Sequence, residues 1–175
     1  STDQNDSSDK PLEVVGIKLS DGRIIKTNYL IIALGHSSRD SFNMLEKAGV
    51  DLRQKLFSVG LRIEHPQQSV DLAKFGKSVS HSELGHAEYK LVHHASNGRC
   101  VYSFCMCPGG TVVGSTSEKN CVVTNGMSEF SRNKINANSA LVVNLIEDDF
   151  KKYERWYKDP LAGIALQRDL EYKAF

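Results

Sequence analysis

Three stretches of this 175-residue sequence carry residue types and spacings that could do chemistry. The first is Gly35-His36-Ser37-Ser38, which follows the apolar run Leu30–Leu34 and precedes a helical pattern. A serine between a strand and a helix outlines a nucleophile elbow, G-x-S-x-G, but the fifth position here is Arg39, where a small residue must pack. A hydrolase using Ser37 would also need an acid and then a histidine downstream. Asp71 and His93 come in that order, yet neither follows a recognisable strand end. The second stretch is Cys105-Met106-Cys107-Pro108-Gly109-Gly110, with His93-His94 upstream. A C-x-C pair can place two thiols on one side of an extended segment, which permits three readings: small buried residues flanking a loop, a redox-active pair, or half of a zinc site. No second spaced pair accompanies it, so no metal site is assigned. The two glycines either make a sharp turn or let peptide N–H groups face a flat ligand or a phosphate. The third stretch is Asn125-Gly126 together with Asn136-Ala137-Asn138-Ser139, read as a turn and the opening of a helix, whose free N–H groups attract electron-rich ligand edges. For Asn138 and Ser139 an ordinary capping role competes with that reading. His36, His65, His81 and His86 are isolated.

The elements that must position these residues are legible in outline. EVVGIKLS and RIIKT flank Asp21-Gly22 and predict a β-hairpin closed by a type I′ turn. Tyr29–Leu34 then reads as a strand buried on both faces, ending at Gly35. In α/β proteins ligands bind just outside such a strand end. Ser38 or Asp40 caps a helix to about Ala48, with Phe42, Met44 and Leu45 on its inner face and Gly49 closing it. Leu56–His65 reads as a strand stopped by Pro66, and 67–76 as a short helix closed by Gly76. A loop follows, and then Tyr89–Ala95 and Arg99–Cys105 as strands joined at Ser96-Asn97-Gly98. TVVGSTS and Cys121–Thr124 read as further strands. Ala137–Phe150 reads as a helix with a broad apolar face. A last helix starts at Asp159-Pro160. Trp156 and Tyr157 read as a half-exposed helix face.

Composition excludes several classes. Lys and Arg number 22 against 21 Asp and Glu, a formal net charge of +1, and the basic residues are scattered, so no footprint for nucleic acid stands out. The longest apolar run is far too short to cross a bilayer, and the polar, acidic N-terminus is no signal peptide. Four cysteines without a framework spacing favour a reducing compartment, cytoplasmic or organellar. Residues 1–11 lack apolar anchors and read as a flexible lead-in.

Taken in order, IIALGHSSRDSFNMLEKAGVDL, FSVGLRIEHPQ, YKLVHH, GRCVYSFCMCPGGTVV, NGMS and NANSALVV resemble the NAD(FAD)-utilising, FAD-dependent dehydrogenase family, which is related to the glutathione-reductase-like and aminoacetone-type flavoproteins. The resemblance runs from Val14 to Phe175. It implies an α/β (mixed α+β) fold: part of an FAD-binding Rossmann-like domain with a β-hairpin and an inserted mixed α/β cap domain. The implied division is 12–56 as FAD-binding, 57–105 as the inserted substrate or cap domain, with its continuation to 175 as the alternative, and 106–175 as a return segment with C-terminal helices. Ala33-Leu34-Gly35 resembles the second dinucleotide motif. The resemblance thus implies that Ala33, Gly35, His36 and Ser37 border FAD, with Pro108, Gly109, Gly110, Asn125 and Gly126 nearby. Cys105 and Cys107 become candidate redox residues. The family's first motif, G-x-G-x-x-G, which holds the pyrophosphate, is absent from this sequence. The expectation is therefore the middle of a longer flavoprotein, with the remainder of the polypeptide as partner, a small-molecule substrate, and NAD(P)H as a candidate second redox cofactor. The chain alone is expected to bind FAD weakly or not at all. Two further readings stay open: a non-catalytic interaction module that keeps the fold without cofactor, and the Ser37 hydrolase. The family reading makes one geometric demand: Gly35 and Gly110 should face one crevice.

Overall fold

The computed structural model describes residues 13–175 apart from Ser82 and Tyr157. The expected lead-in and the expectation for Tyr157 lie outside the described residues. The chain divides after Leu52 into two units, each described here by itself.

The first unit holds the predicted hairpin, β1 (Gly16–Lys18) and β2 (Ile24–Lys26), antiparallel with Ile17 opposite Ile25. Its turn is not type I′. The Leu19 N–H donates to Arg23 O (2.8 Å) and the Gly22 N–H to Leu19 O (3.0 Å), while Gly22 alone of the turn residues has positive φ, +89°. That is a type I turn closed by a left-handed glycine, the three-residue hairpin with a G1 bulge, which spares Asp21 the positive φ that type I′ requires. The expected buried strand at Tyr29–Leu34 is not formed. Those residues pair with no strand among the described residues, and Tyr29 and Ile31 are 90% and 92% exposed. A doubly buried strand needs neighbours on both edges and cover on both faces, and the described part of this unit supplies a two-stranded hairpin only. The Thr27 Oγ1 instead bonds locally with Tyr29, accepting from its N–H and donating to its carbonyl.

Helix α1 (Arg39–Lys47) forms as predicted. It closes with a Schellman motif: Gly49 at φ +80° donates to Glu46 O, and Val50 donates to Leu45 O. Phe42 and Leu45 are half-buried, whereas Met44 is exposed.

The second unit, Arg53–Phe175, is built on β3 (Ser58–Pro66), β4 (Val92–His94), β5 (Cys100–Cys107) and β8 (Asn136–Asn144). They form one antiparallel sheet in the order β3-β8-β5-β4. Helix α2 (Gln67–Phe75) follows β3 directly, and a second sheet pairs β6 (Gly110–Gly114) with β7 (Thr124–Ser128). The β4–β5 hairpin repeats the turn of the first unit: the Ala95 N–H bonds Arg99 O, the Gly98 N–H bonds Ala95 O, and Gly98 has φ +80°.

The largest departure from expectation is β8. Residues 137–144, read from sequence as helix, form the central strand, paired with β3 from Ser58↔Asn144 to Pro66↔Asn136 and with β5 on the other side. An apolar run of this length has no decisive period, so the two partners settle it, and Val142 and Val143 suit the pleated surface. The helical part of the prediction survives only as α3 (Glu147–Phe150). Asn125-Gly126, expected as a turn, lies inside β7, opposite Val113 and Val112.

One end of the sheet is closed by α3 and α4 (Ala162–Ala174) over a core of Leu145, Phe150, Ala162 and Leu166, with Phe57, Val59 and Tyr153 against it. The Phe57 and Phe150 rings meet edge to face at 5.6 Å. Gly163 gives Phe57 room: a Cβ there would lie 2.9 Å from its ring. Asp159 precedes α4 but is not the N-cap expected of it, for the helix begins at Ala162 and Pro160 lies outside it. The buried Asp159 carboxylate accepts from the Leu161 N–H (2.8 Å) and from the Arg155 guanidinium, which with the backbone bonds holds its carboxyl below the usual range. Asp149 does the same for α3, taking the Ile146 N–H and a two-pronged contact from Arg99. Every sheet among the described residues is antiparallel. The fold is mixed α+β, and the expected Rossmann-like parallel sheet is not seen.

Candidate functional site

The candidate residues gather at two corners, one in each unit. In the first, Gly35 takes φ +76° with open space where a Cβ would stand, so its conformation, not crowding, calls for glycine. Ala33, Gly35, His36 and Ser37 are all exposed. The Ser37 Oγ lies 3.4 Å from His36 Nε2, a contact between adjacent side chains at the long limit of a hydrogen bond. The Ser38 hydroxyl donates back to Leu34 O (2.9 Å) and does not cap α1. A concavity of about 240 Å³ opens here, lined by Ile32, Leu34, His36, Phe42 and Leu45 among others. No strand leads into this turn, so the strand–turn–helix frame of a nucleophile elbow is missing among the described residues.

The second corner is set by an irregularity in β5. Pairing with β8 slips between Phe104 and Cys107, and Cys105, at the slip, has φ +51°. Bulges and left-handed non-glycine residues re-aim side chains and often mark sites. The bulge leaves Cys105 exposed and turns Cys107 into the interior. The Cys105 carbonyl accepts from Arg62 Nη1 (3.2 Å) and from the Cys107 thiol (3.4 Å). Burial, then the neighbouring Cys105, pushes the Cys107 thiol up, so it is the protonated and poorly nucleophilic form that dominates near neutral pH. Arg62 Nη1 also donates to Asn138 Oδ1 (2.7 Å). Both acceptors are neutral. The Asn138 Nδ2 group is buried without a hydrogen-bond partner. Gly126 lies flat on this pair, since a Cβ there would overlap Asn138 Oδ1 and Arg62 Nη1. Asn125, beside it, is exposed. The anticipated helix N-terminus at Asn136–Ser139 does not exist, because those residues begin β8.

Pro108-Gly109-Gly110 is buried and held from several sides. Pro108 O accepts from Ser128 Oγ, and Gly109 O from the Lys134 N–H. A Cβ on Gly109, at φ +49°, would overlap the Arg132 carbonyl, and one on Gly110 would stand 2.5 Å from Met127 O. Close backbone approach accounts for both glycines. The residue that fixes this turn is one the sequence did not single out. Gln67, fully buried at the start of α2, accepts the Gly109 N–H on Oε1 (2.8 Å) and donates from Nε2 to Asp71 Oδ1 (2.8 Å) and Ala87 O (3.0 Å). Asp71 takes in addition the Ala87 N–H (2.7 Å) and His86 Nδ1 (3.0 Å). Burial alone would raise the Asp71 carboxyl; the bonds from Ala87, His86 and Gln67 outweigh it and hold it below the ordinary value of 3.8. The visible signal was the i, i+4 spacing of Gln67 and Asp71 on one helix face directly after a strand-ending proline.

Asp71 is thus a structural anchor for the turn, and His93, its supposed triad companion, lies on β4 opposite Val101. His93 and His94 are adjacent in a strand and point to opposite faces. Among the described residues no group of three or more His, Cys, Asp or Glu comes together to hold a metal, and no helix is long and apolar enough to cross a membrane.

Comparison with known proteins adds two findings. A Clostridium beijerinckii protein described as an uncharacterized protein is 44% identical to this chain over 155 residues, which cover 88% of the chain but 28% of that relative. The chain therefore spans under a third of the relative's length. The family described as "FAD-dependent protein, C-terminal domain-like" matches residues 56–175, from just before β3 to the end of α4. The chain belongs to the family of FAD-dependent protein C-terminal domains.

Proposed function

We propose that this chain is part of an FAD-dependent oxidoreductase, with the Arg53–Phe175 unit as its substrate-side or cap domain. The family match over 56–175 carries that reading. FAD, when bound, would exchange a hydride with a small-molecule substrate, and NAD(P)H is the proposed external redox partner. The described residues do not make a cradle for the cofactor. Their sheets are antiparallel, and the concavity beside Gly35, about 240 Å³, falls short of the ~300–1,000 Å³ of ordinary small-molecule pockets. On this reading the remainder of a longer polypeptide holds the pyrophosphate and covers the apolar residues Leu30–Leu34, and Ala33, Gly35, His36 and Ser37 meet only an edge of the cofactor.

For the second corner we assign Pro108, Gly109, Gly110, Asn125 and Gly126 a framing role. They fix the backbone around the Cys105 bulge, where the half-buried Arg62 guanidinium lies beside the exposed Cys105. If either cysteine serves electron transfer, it is Cys105. The test uses the longer flavoprotein that contains this chain: anaerobic bleaching of its flavin by NADH or NADPH, in wild type and in Cys105→Ser and Cys107→Ser. Bleaching supports the oxidoreductase reading, and its absence with every reduced nicotinamide and dithionite-sensitive flavin present counts against the nicotinamide link. Unchanged reduction and turnover in both variants removes the thiols from the chemistry.

A further inference from the structure

A groove of about 850 Å³ runs along β4 and β5 in the second unit and reaches the β5 bulge at Cys105 and Met106. Its size falls within the range of pockets that hold whole small molecules. Leu91, Val92 and Phe104 line it, 56%, 65% and 61% exposed, with the Tyr102 ring beside them. Apolar side chains this exposed in one concave place mark a binding surface more often than chance placement does. The charges around it are one-sided. Lys74 and Lys90 both line the groove. Lys74 bonds to a neutral backbone carbonyl, that of Glu88, and lies over the Phe75 ring. Lys90 has no carboxylate partner among the described residues. The single lining carboxylate, Glu88, is already neutralised by Arg132 at 2.7 Å. Two uncompensated cations therefore flank an apolar floor.

We propose that this groove binds an amphiphilic carboxylate: a small molecule with an aromatic or aliphatic body laid on Leu91, Val92 and Phe104 and an anionic end held by Lys74 and Lys90. This deepens the reading of the unit as a substrate-side domain by naming the ligand class, and it rests on that reading only for the ligand's being a substrate. The charge pattern selects against amines, since a cationic end would meet two lysines with no free acid nearby.

Binding is read on the 175-residue chain without flavin, so its outcome is separable from that of the oxidoreductase proposal. Amide shifts are followed by NMR during titration with 4-phenylbutyrate, and in parallel with 4-phenylbutylamine. The expected result is saturable shifts confined to residues 88–92 and 100–106 with the carboxylate, and at least tenfold weaker effects with the amine. Lys90→Glu and the exposed Phe104→Ser should each weaken the carboxylate at least fivefold while the rest of the spectrum stays unchanged. Equal binding of acid and amine, shifts centred on Leu30–Leu34, or no shift at millimolar probe would overturn the proposal. If Phe104→Ser disturbs the whole spectrum, Lys90→Gln supplies the same comparison without touching the sheet.

Discussion

Glycines that look alike in the sequence do different jobs. Gly35 needs a left-handed conformation in open space, whereas Gly109 needs that conformation and also sits against the Arg132 carbonyl, and Gly126 touches Asn138 and Arg62. Gly35→Ala should cost about 1 kcal/mol, the left-handed term alone. Gly126→Ala should cost ~1–3 kcal/mol, as overpacking does, and Gly109→Ala more than either. Urea denaturation followed for each unit checks this ranking; equal losses at Gly35 and Gly109 would contradict it. Gln67 gives a second test. Gln67→Ala leaves the buried Gly109 N–H without its acceptor, and a cost of ~1–3 kcal/mol is expected. Asp71 supplies a pH signature. Its folded-state carboxyl lies below 3.8, so the stability it contributes is fully present above that value and is lost as pH falls through the lower folded value. Wild type should therefore lose stability below about pH 4 more steeply than Asp71→Asn, with the two curves converging at the acid end. Parallel curves would show that the carboxylate is not held as described. The residues visible in advance were those whose type alone declares a backbone need, such as the glycines. Gln67 was hidden because nothing about a glutamine announces which distant N–H it will meet.

At the scale of elements, what the chain decides within a few residues was readable. The turns at Asp21-Gly22 and Ser96-Asn97-Gly98 and the helix after Pro66 with its glycine stop rest on local chemistry. Even there the turn type was missed, because Asp-Gly fits both the I′ turn and the type I turn with a glycine bulge. Two of the failures, Leu30–Leu34 and 137–144, share a cause. An apolar run acquires its structure from partners far away in sequence: β8 finds β3 and β5 on its two sides, and Leu30–Leu34 finds none among the described residues. Hydrogen exchange separates these cases. Amides of Ala137–Val143 should be the slowest in the chain, while those of the short edge strand Val92–His94 exchange by local opening. Comparable rates in the two segments would argue against β8 at the centre of the sheet.

For the whole molecule, the antiparallel unit that belongs to the FAD-dependent C-terminal family has a packed sheet and its own helical core, and every sheet among its described residues is antiparallel. Ion pairs on its surface, such as Lys151 with Asp148 and Lys134 with Glu129, are exposed and contribute little to its stability. The proposal that the chain is part of a longer flavoprotein rests on a relative more than three times its length and on the family match. The most direct test is to purify this chain and the longer Clostridium beijerinckii relative side by side, add FAD to both, desalt, and record the flavin absorbance. The account predicts a yellow relative and a colourless chain. A chain that keeps stoichiometric flavin by itself, or a relative that never acquires any, would contradict it.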